Sequence, residues 1–273
     1  MFHGVEPLYY RELREETIAS GQALSWRYRL LQERLMPFML RTACRRADAV
    51  TCLNRAEGEV ISALNWVPSG GLEILAHGVP NEFFAPPRVT RPLRTMLFVG
   101  QWLPMKGIAH LRDAAVTLLR GDPALRLVCA GTLVSAQFVL PDFPTELQAR
   151  VVVMPRVEQG ALADLYRDAD VFVFPSLYEG FSRAILEAMA GRLAIVTTAV
   201  GVAADALRDE ENALIVPKRS AAAIVAAVRR LQLDTALAAR LGAAAAAAAG
   251  EYRLETVERH TLSVVMRVAG AVS

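Results

Sequence analysis

From Thr95 onward, short and almost purely apolar runs alternate with segments of helical period, and this alternation constrains the fold more than any other feature of the chain. Val171-Phe172-Val173-Phe174 and Leu193-Ala194-Ile195-Val196 carry no polar side chain, so both faces of these strands must be covered. Strands are expected at 95–99, 125–130, 151–154, 171–174, 194–197 and 213–216, and helices at 107–120, 161–168, 183–190 and 221–231. Strands alternating with helices predict a doubly wound parallel sheet with helices on both faces. Ligands of such sheets lie outside the carboxyl ends of the strands. The loops after Val99, Ala130, Met154, Phe174 and Val196 are therefore where chemistry is to be sought.

The front of the chain reads differently. Residues 7–47 are expected to be helical, with Leu30, Leu31, Leu35, Phe38 and Met39 at helical spacing and Pro37 kinking the segment or starting a new helix. Short strands are expected at 49–53 and 72–75, with Asn54 capping a helix over 55–65. The Pro- and Arg-rich stretch 86–94 reads as a linker. The alanine run 243–249 extends a helix, and 251–273 is a further helix.

Composition removes several classes of function. A net charge of +2 provides no field that argues for nucleic acid. Cys44, Cys52 and Cys129 fit neither a disulfide framework nor a zinc site, which makes a reducing compartment the simpler reading. The N-terminus has no apolar signal core, and no stretch reaches the ~18–20 uninterrupted apolar residues of a membrane span. Arg27, Arg29, Arg34, Arg41, Arg45 and Arg46 against Glu33 and Asp48 could lie on an anionic membrane surface; the alternative is that the apolar face of this region packs into the protein.

The strongest chemical signal is the strand-to-helix connection that carries Glu179-Gly180-Phe181-Ser182. The first N–H groups of the helix behind it are unpaired and favour an anion such as phosphate. Gly180 allows close approach of a ligand to the backbone. Glu187 lies eight residues beyond Glu179, and two helical turns return it close to the same face. The two carboxylates then suit sugar and ribose hydroxyls. Alternatively, Glu179 merely caps the helix and Glu187 is solvated, although Ile185, Leu186, Ala188 and Met189 surround Glu187 with apolar side chains. A second such loop is Val99-Gly100-Gln101-Trp102-Leu103-Pro104-Met105-Lys106-Gly107. Lys106 stands near a helix start, where the dipole does not favour a cation; it is either a surface lysine or one that meets a phosphate. Neither a G-x-x-x-x-G-K-[ST] nor a G-x-G-x-x-G motif is present, which argues against NTPase and NAD-type readings.

Together these segments resemble the retaining glycosyltransferases of family GT4, whose fold is called GT-B. The family's pattern of two glutamates with seven residues between them is similar to Glu179 to Glu187 followed by Ala188-Met189-Ala190-Gly191, and its phosphate loop to Val99-Gly100 through Lys106-Gly107. The stretch from Ile74 to Phe84, with Gly78-Val79-Pro80-Asn81, looks like the family's inter-domain segment, and Val200-Gly201 with Arg208 to Val216 like the stretch after the next strand. The resemblance implies an α/β, GT-B-like fold: one complete doubly wound, Rossmann-like C-terminal domain and an incomplete N-terminal domain. The divisions it implies are 1–85 as a remnant of the acceptor-side domain, 86–250 as the nucleotide-sugar-binding domain, and 251–273 as a helix packing back on the N-terminal part.

What the resemblance implies chemically is transfer of a sugar, hexosyltransferase-type, from a UDP- or GDP-linked donor with retained anomeric configuration. No cofactor and no metal are expected; the nucleotide-diphosphate sugar is the substrate. Gly100, Gln101 and Lys106 would hold the diphosphate, Glu187 the ribose, Glu179 the donor sugar, the Gly180-Phe181-Ser182 backbone the sugar or phosphate, and Arg156-Val157 the base. His3 resembles the family's active-site histidine; otherwise it is a disordered terminal residue. His3 and Glu179 are thus the catalytic candidates.

Gln101 stands where the family usually has an arginine, a second cation for which Arg156 could compensate. The front of the fold, with its glycine-rich loop, is expected to be missing, so that a partner chain could supply it. A binding module or partner subunit without catalysis, and a remnant without activity, are the alternatives to a working enzyme. The acceptor is unknown, and the expected location is the cytoplasm, with at most peripheral contact at the inner membrane face.

Overall fold

A computed structural model describes residues 6–19, 21, 23–65, 67 and 71–271. The chain opens with α1 (Glu6–Ala19), α2 (Trp26–Leu30) and α3 (Met36–Arg46), and α2 and α3 are joined by one wide turn, Leu31–Leu35, into a continuous rod. The segment 7–47 is thus mostly helical, as expected, but in more than one piece. The chain breaks after α1, and Ser25 restarts it by accepting the N–H of Tyr28. Pro37 lies in the first turn of α3, where its missing N–H costs least. The turn before it widens to the π pattern, so that the N–H of Met36 donates to the carbonyl of Leu31.

Next come β1 (Val50–Cys52), α4 (Arg55–Ala63) and β2 (Leu72–Ile74). Asn54 caps α4 through the N–H of Glu57, as expected. β1 and β2 form an isolated parallel pair with Val50 opposite Leu72. So small a sheet cannot cover the α2–α3 rod. Trp26, Leu30, Leu31, Leu35, Phe38 and Met39 are exposed, against the expectation that the apolar face packs into the protein, and only Gln32 and Cys44 of the rod are buried.

The remaining elements are β3 (Thr95–Val99), α5 (Ile108–Gly121), β4 (Arg126–Ala130), α6 (Ala136–Val139), β5 (Val151–Met154), α7 (Gln159–Asp168), β6 (Val171–Phe174), α8 (Arg183–Ala190), β7 (Ala194–Thr197), α9 (Val202–Ala206), β8 (Leu214–Ile215), α10 (Ala221–Leu233), α11 (Thr235–Ala249) and α12 (Leu254–Ala271). The sheet runs β5-β4-β3-β6-β7-β8, and every pairing is parallel. The chain winds outward from β3 to β5, returns to place β6 beside β3, and winds outward on the other side. The β3–β6 boundary is thus the point where winding reverses, which is where open α/β sheets hold ligands.

The all-apolar strands lie where their composition requires: Val171, Phe172, Val173 and Phe174 are buried, as are Ala194, Ile195 and Val196. Phe172 and Phe174 stack at 5.6 Å, and Phe98 joins Phe174 at 6.0 Å. The alanine run ends α11, and Gly242 within this helix has a packing role. A Cβ there would stand 2.3 Å from the carbonyl oxygen of Arg192, so glycine lets α11 lie directly on the α8–β7 connection.

The Arg-rich stretch 86–94 is irregular but pinned. Arg88 donates to the carbonyls of Tyr166, Arg167 and Ala169, and Arg91 to Asp170 at 2.6 Å and the carbonyl of Asp168 at 2.7 Å. Both satisfy the open carbonyls at the end of α7. α12 joins the segment after β2 through the backbone bond from Leu254 to Val79 at 3.0 Å and the Arg267–Glu73 ion pair. α1 is tied to the loop after β8: Glu12 pairs with Lys218 at 2.6 Å and Arg219 at 3.3 Å, and Tyr9 meets Tyr178 edge-on at 5.7 Å. Among the described residues, no helix is long and apolar enough to cross a membrane.

Candidate functional site

A cavity of about 550 Å³ opens at the β3–β6 boundary, lined by the ends of these strands, the loops that follow β3, β4 and β5, and the first two turns of α8. The loop after β3 begins with Gly100, whose N–H still donates to Ala130 at 2.9 Å and so continues the ladder. Its far end is a tight turn, Pro104–Lys106, closed by Gly107 at φ +69°. A Cβ on Gly107 would stand 2.0 Å from the carbonyl oxygen of Pro175. Glycine therefore lets the β3 and β6 loops nest. The N–H of Leu177 joins the nested loops by donating to the Met105 carbonyl at 2.9 Å.

This nesting aims Lys106 across the boundary. Its Nζ donates to both carboxylate oxygens of Glu179, at 2.7 and 2.9 Å, and lies 5.5 Å above the Phe174 ring. Ser176 Oγ lies 2.6 Å from Glu179 Oε1 as a second donor. Glu179 is only 8% exposed, so these donors compensate most of its lost hydration.

α8 begins at Ser182, which holds a left-handed conformation at φ +74° and ψ +86° and makes no side-chain cap bond. Strain at a non-glycine residue and an uncapped helix start occur at one place, and Ser182, Arg183 and Ala184 there line the cavity. Gly201, at φ +55°, supports the loop from behind. A Cβ there would stand 2.6 Å from the Phe181 carbonyl oxygen and 2.8 Å from Glu179 Cβ.

Glu187 enters from the second turn of α8 and is 6% exposed. Its Oε2 accepts the phenol of Tyr166 at 3.0 Å, and its Oε1 lies 3.8 Å from Arg183. Burial pushes its carboxyl above the usual range, and the Tyr166 hydrogen bond and the Arg183 charge oppose that shift. Tyr166 itself is wholly buried, and burial followed by the Glu187 charge raises its phenol well above the usual value.

Residues 81–248, more than half of the chain, match the family described as Glycosyl transferases group 1. The chain belongs to this family. Similar proteins include two D-inositol 3-phosphate glycosyltransferases. That of Streptomyces griseus is 31% identical over 208 residues, covering 72% of this chain and 42% of the relative. That of Streptosporangium roseum is 31% identical over 226 residues, covering 74% and 52%. The chain thus spans about half the length of these relatives. Among solved structures, the sucrose-phosphate synthase of Thermosynechococcus elongatus superposes with a TM-score of 0.78 at 21% identity, covering 99% of this chain and 67% of that one. Anabaena HepE in complex with UDP superposes at 0.73 and 17% identity, covering 86% and 69%. Likeness at these identities shows the fold, which is GT-B-like.

In this member of the family, the cavity brings together Gly100, Gln101, Lys106, Val157, Glu179, Ser182 and Glu187 from the residues singled out by sequence. Gly180 and Phe181 stand behind the wall. The Gly180 carbonyl accepts Asn54 Nδ2, and the Phe181 ring, 5% exposed, meets His77 edge-on at 5.0 Å. Arg156 is exposed and is not among the cavity-lining residues; its neighbour Val157 is. His3 lies outside the described residues. Tyr166, Ser176 and Arg183 were not reached from sequence. Arg183 stands at i, i+4 to Glu187, a spacing that could have been read; Tyr166 lies on another helix, 21 residues away.

Proposed function

We propose that residues 86–250 bind a nucleotide-diphosphate sugar and that this chain is the donor-side part of a glycosyltransferase that retains the anomeric configuration. Residues 1–85 would then belong to the acceptor side, with 251–273 packing against them. The observation that carries this reading is a cation, two buried carboxylates and an uncapped helix start converging on one cavity at the winding reversal of a parallel sheet. Lys106 and the α8 N–H groups face the diphosphate, and their positive ends stabilise charge on it as the glycosidic bond breaks. Glu187 accepts ribose hydroxyls and Glu179 those of the sugar, once Lys106 has turned toward phosphate. The HepE complex with UDP makes a uridine nucleotide the first donor to test.

A second reading, donor binding without turnover, has its own support. Gln101 is neutral where a second cation would be expected, and Arg156 does not line the cavity to replace it. Calorimetric titration of the chain with UDP, GDP and ADP, repeated on Lys106→Ala and Glu187→Ala, tests the shared core of both. Micromolar binding of one nucleotide, weakened about tenfold by either change, is expected from the loss of a charge-assisted contact. A folded, monodisperse wild-type chain that binds none of the three excludes the donor site. Hydrolysis or transfer of the sugar by the same preparation then separates the two readings.

A further inference from the structure

Glu187 stands where a carboxylate needs support, and the support comes from inside the protein. Tyr166 is 0% exposed. Its ring is held edge-on to Phe83 at 5.9 Å and tilted against Phe172 at 5.8 Å, and Gly191 packs so close that a Cβ there would stand 3.2 Å from Tyr166 Cβ. Neither ring nor hydroxyl has room to choose another place. A buried phenol needs an acceptor, and this one has Glu187 Oε2 at 3.0 Å, with the Ala184 carbonyl farther off at 3.3 Å. On the other side, Arg183 is 57% exposed and 3.8 Å from Oε1, too far for a direct hydrogen bond. Lys106 and Glu179 are the other charged groups of the cavity, and they pair with each other.

The inner oxygen is therefore fixed by a rigid donor, and the outer edge of the carboxylate is left to the cavity. A carboxylate has about four acceptor sites, and the phenol occupies one. We propose that Tyr166 is a positioning residue: it fixes the plane of the Glu187 carboxylate so that both adjacent ribose hydroxyls are accepted, and it thereby makes the cavity select ribonucleotides over 2′-deoxyribonucleotides. This rests on the donor-binding reading above.

The test titrates wild type and Tyr166→Phe with the tightest binder among UDP, GDP and ADP and with its 2′-deoxy form, from neutral to mildly acidic pH. Wild type favours the ribonucleotide roughly tenfold, as expected for a hydrogen bond to a charged acceptor. Tyr166→Phe keeps the ring, binds the ribonucleotide roughly tenfold more weakly, and brings the ribo-to-deoxy ratio toward one. The pH at which acid abolishes binding also moves upward, because the lost hydrogen bond favoured ionised Glu187. Equal weakening of both nucleotides with an unmoved acid limb marks a merely structural tyrosine and overturns the proposal. Arg183→Ala guards against a Phe variant that does not fold. With Tyr166 intact it retains the ratio, and loss of the ratio there transfers the role to Arg183 and also overturns the proposal. A folded wild type that binds no nucleotide removes the donor reading and this inference together, whereas nucleotide binding with no ribo preference removes the inference alone.

Discussion

Glu179 holds Lys106 with both oxygens, so any phosphate that recruits the ammonium competes with a carboxylate already in place. Glu179→Gln removes a negative charge beside the diphosphate and loosens the lysine. Binding of the bare nucleotide diphosphate should strengthen about fivefold, the worth of roughly 1 kcal/mol of charge interaction. Weaker binding in the same calorimetry would place Lys106 outside the phosphate site. Glu187 makes a prediction of the opposite kind. Its folded carboxyl titrates above its unfolded value, so the native state takes up its proton first and stability is regained as pH falls toward the usual carboxylate range. Glu187→Gln should therefore raise the melting temperature at neutral pH by a few degrees while weakening nucleotide binding, and an unchanged melting temperature would mean that the ionised carboxylate is already fully compensated. Both glutamates and Lys106 were legible in the sequence, because loop position and helical spacing decide which way they face. Of the pair Arg156-Val157, only Val157 lines the cavity, and Arg156 is exposed beside it.

At the scale of elements, the parallel strands were readable because burial on both faces leaves no place for a polar side chain. The expected strand over 213–216 shortened to β8, Leu214–Ile215, at the sheet edge, where only β7 pairs with it. The helical front was less legible. Periodicity marked helix across 7–47, but the break before Ser25 and the wide turn before Pro37 depend on backbone bonding that apolar spacing does not report. α6 and α9, four and five residues long, are too short to show a period. The element whose geometry governs the site is the nested pair of loops. Gly107→Ala adds a Cβ 2.0 Å from the Pro175 carbonyl oxygen at a left-handed position. It should cost about 2 kcal/mol or more in chemical denaturation and abolish nucleotide binding by displacing Lys106. A variant of wild-type stability and affinity would show that the two loops do not need to nest.

The molecule as a whole is unequal. One part is a complete six-stranded sheet covered on both faces; the other sets an exposed α2–α3 rod beside a two-stranded pair. The cavity lies in the complete part, and its charges are balanced. Lys106 and Arg183 are the cations of its lining, Glu179 and Glu187 the anions, and each cation stands beside an anion. With a formal charge of only +2 on the whole chain, an approaching diphosphate meets little attractive field at a distance. Stopped-flow association should then change little with ionic strength. A steep salt dependence would mean that Lys106 is free before the nucleotide arrives. Tight donors would accordingly be distinguished by how slowly they leave, since the exchange of Glu179 for phosphate at Lys106 takes place only after contact.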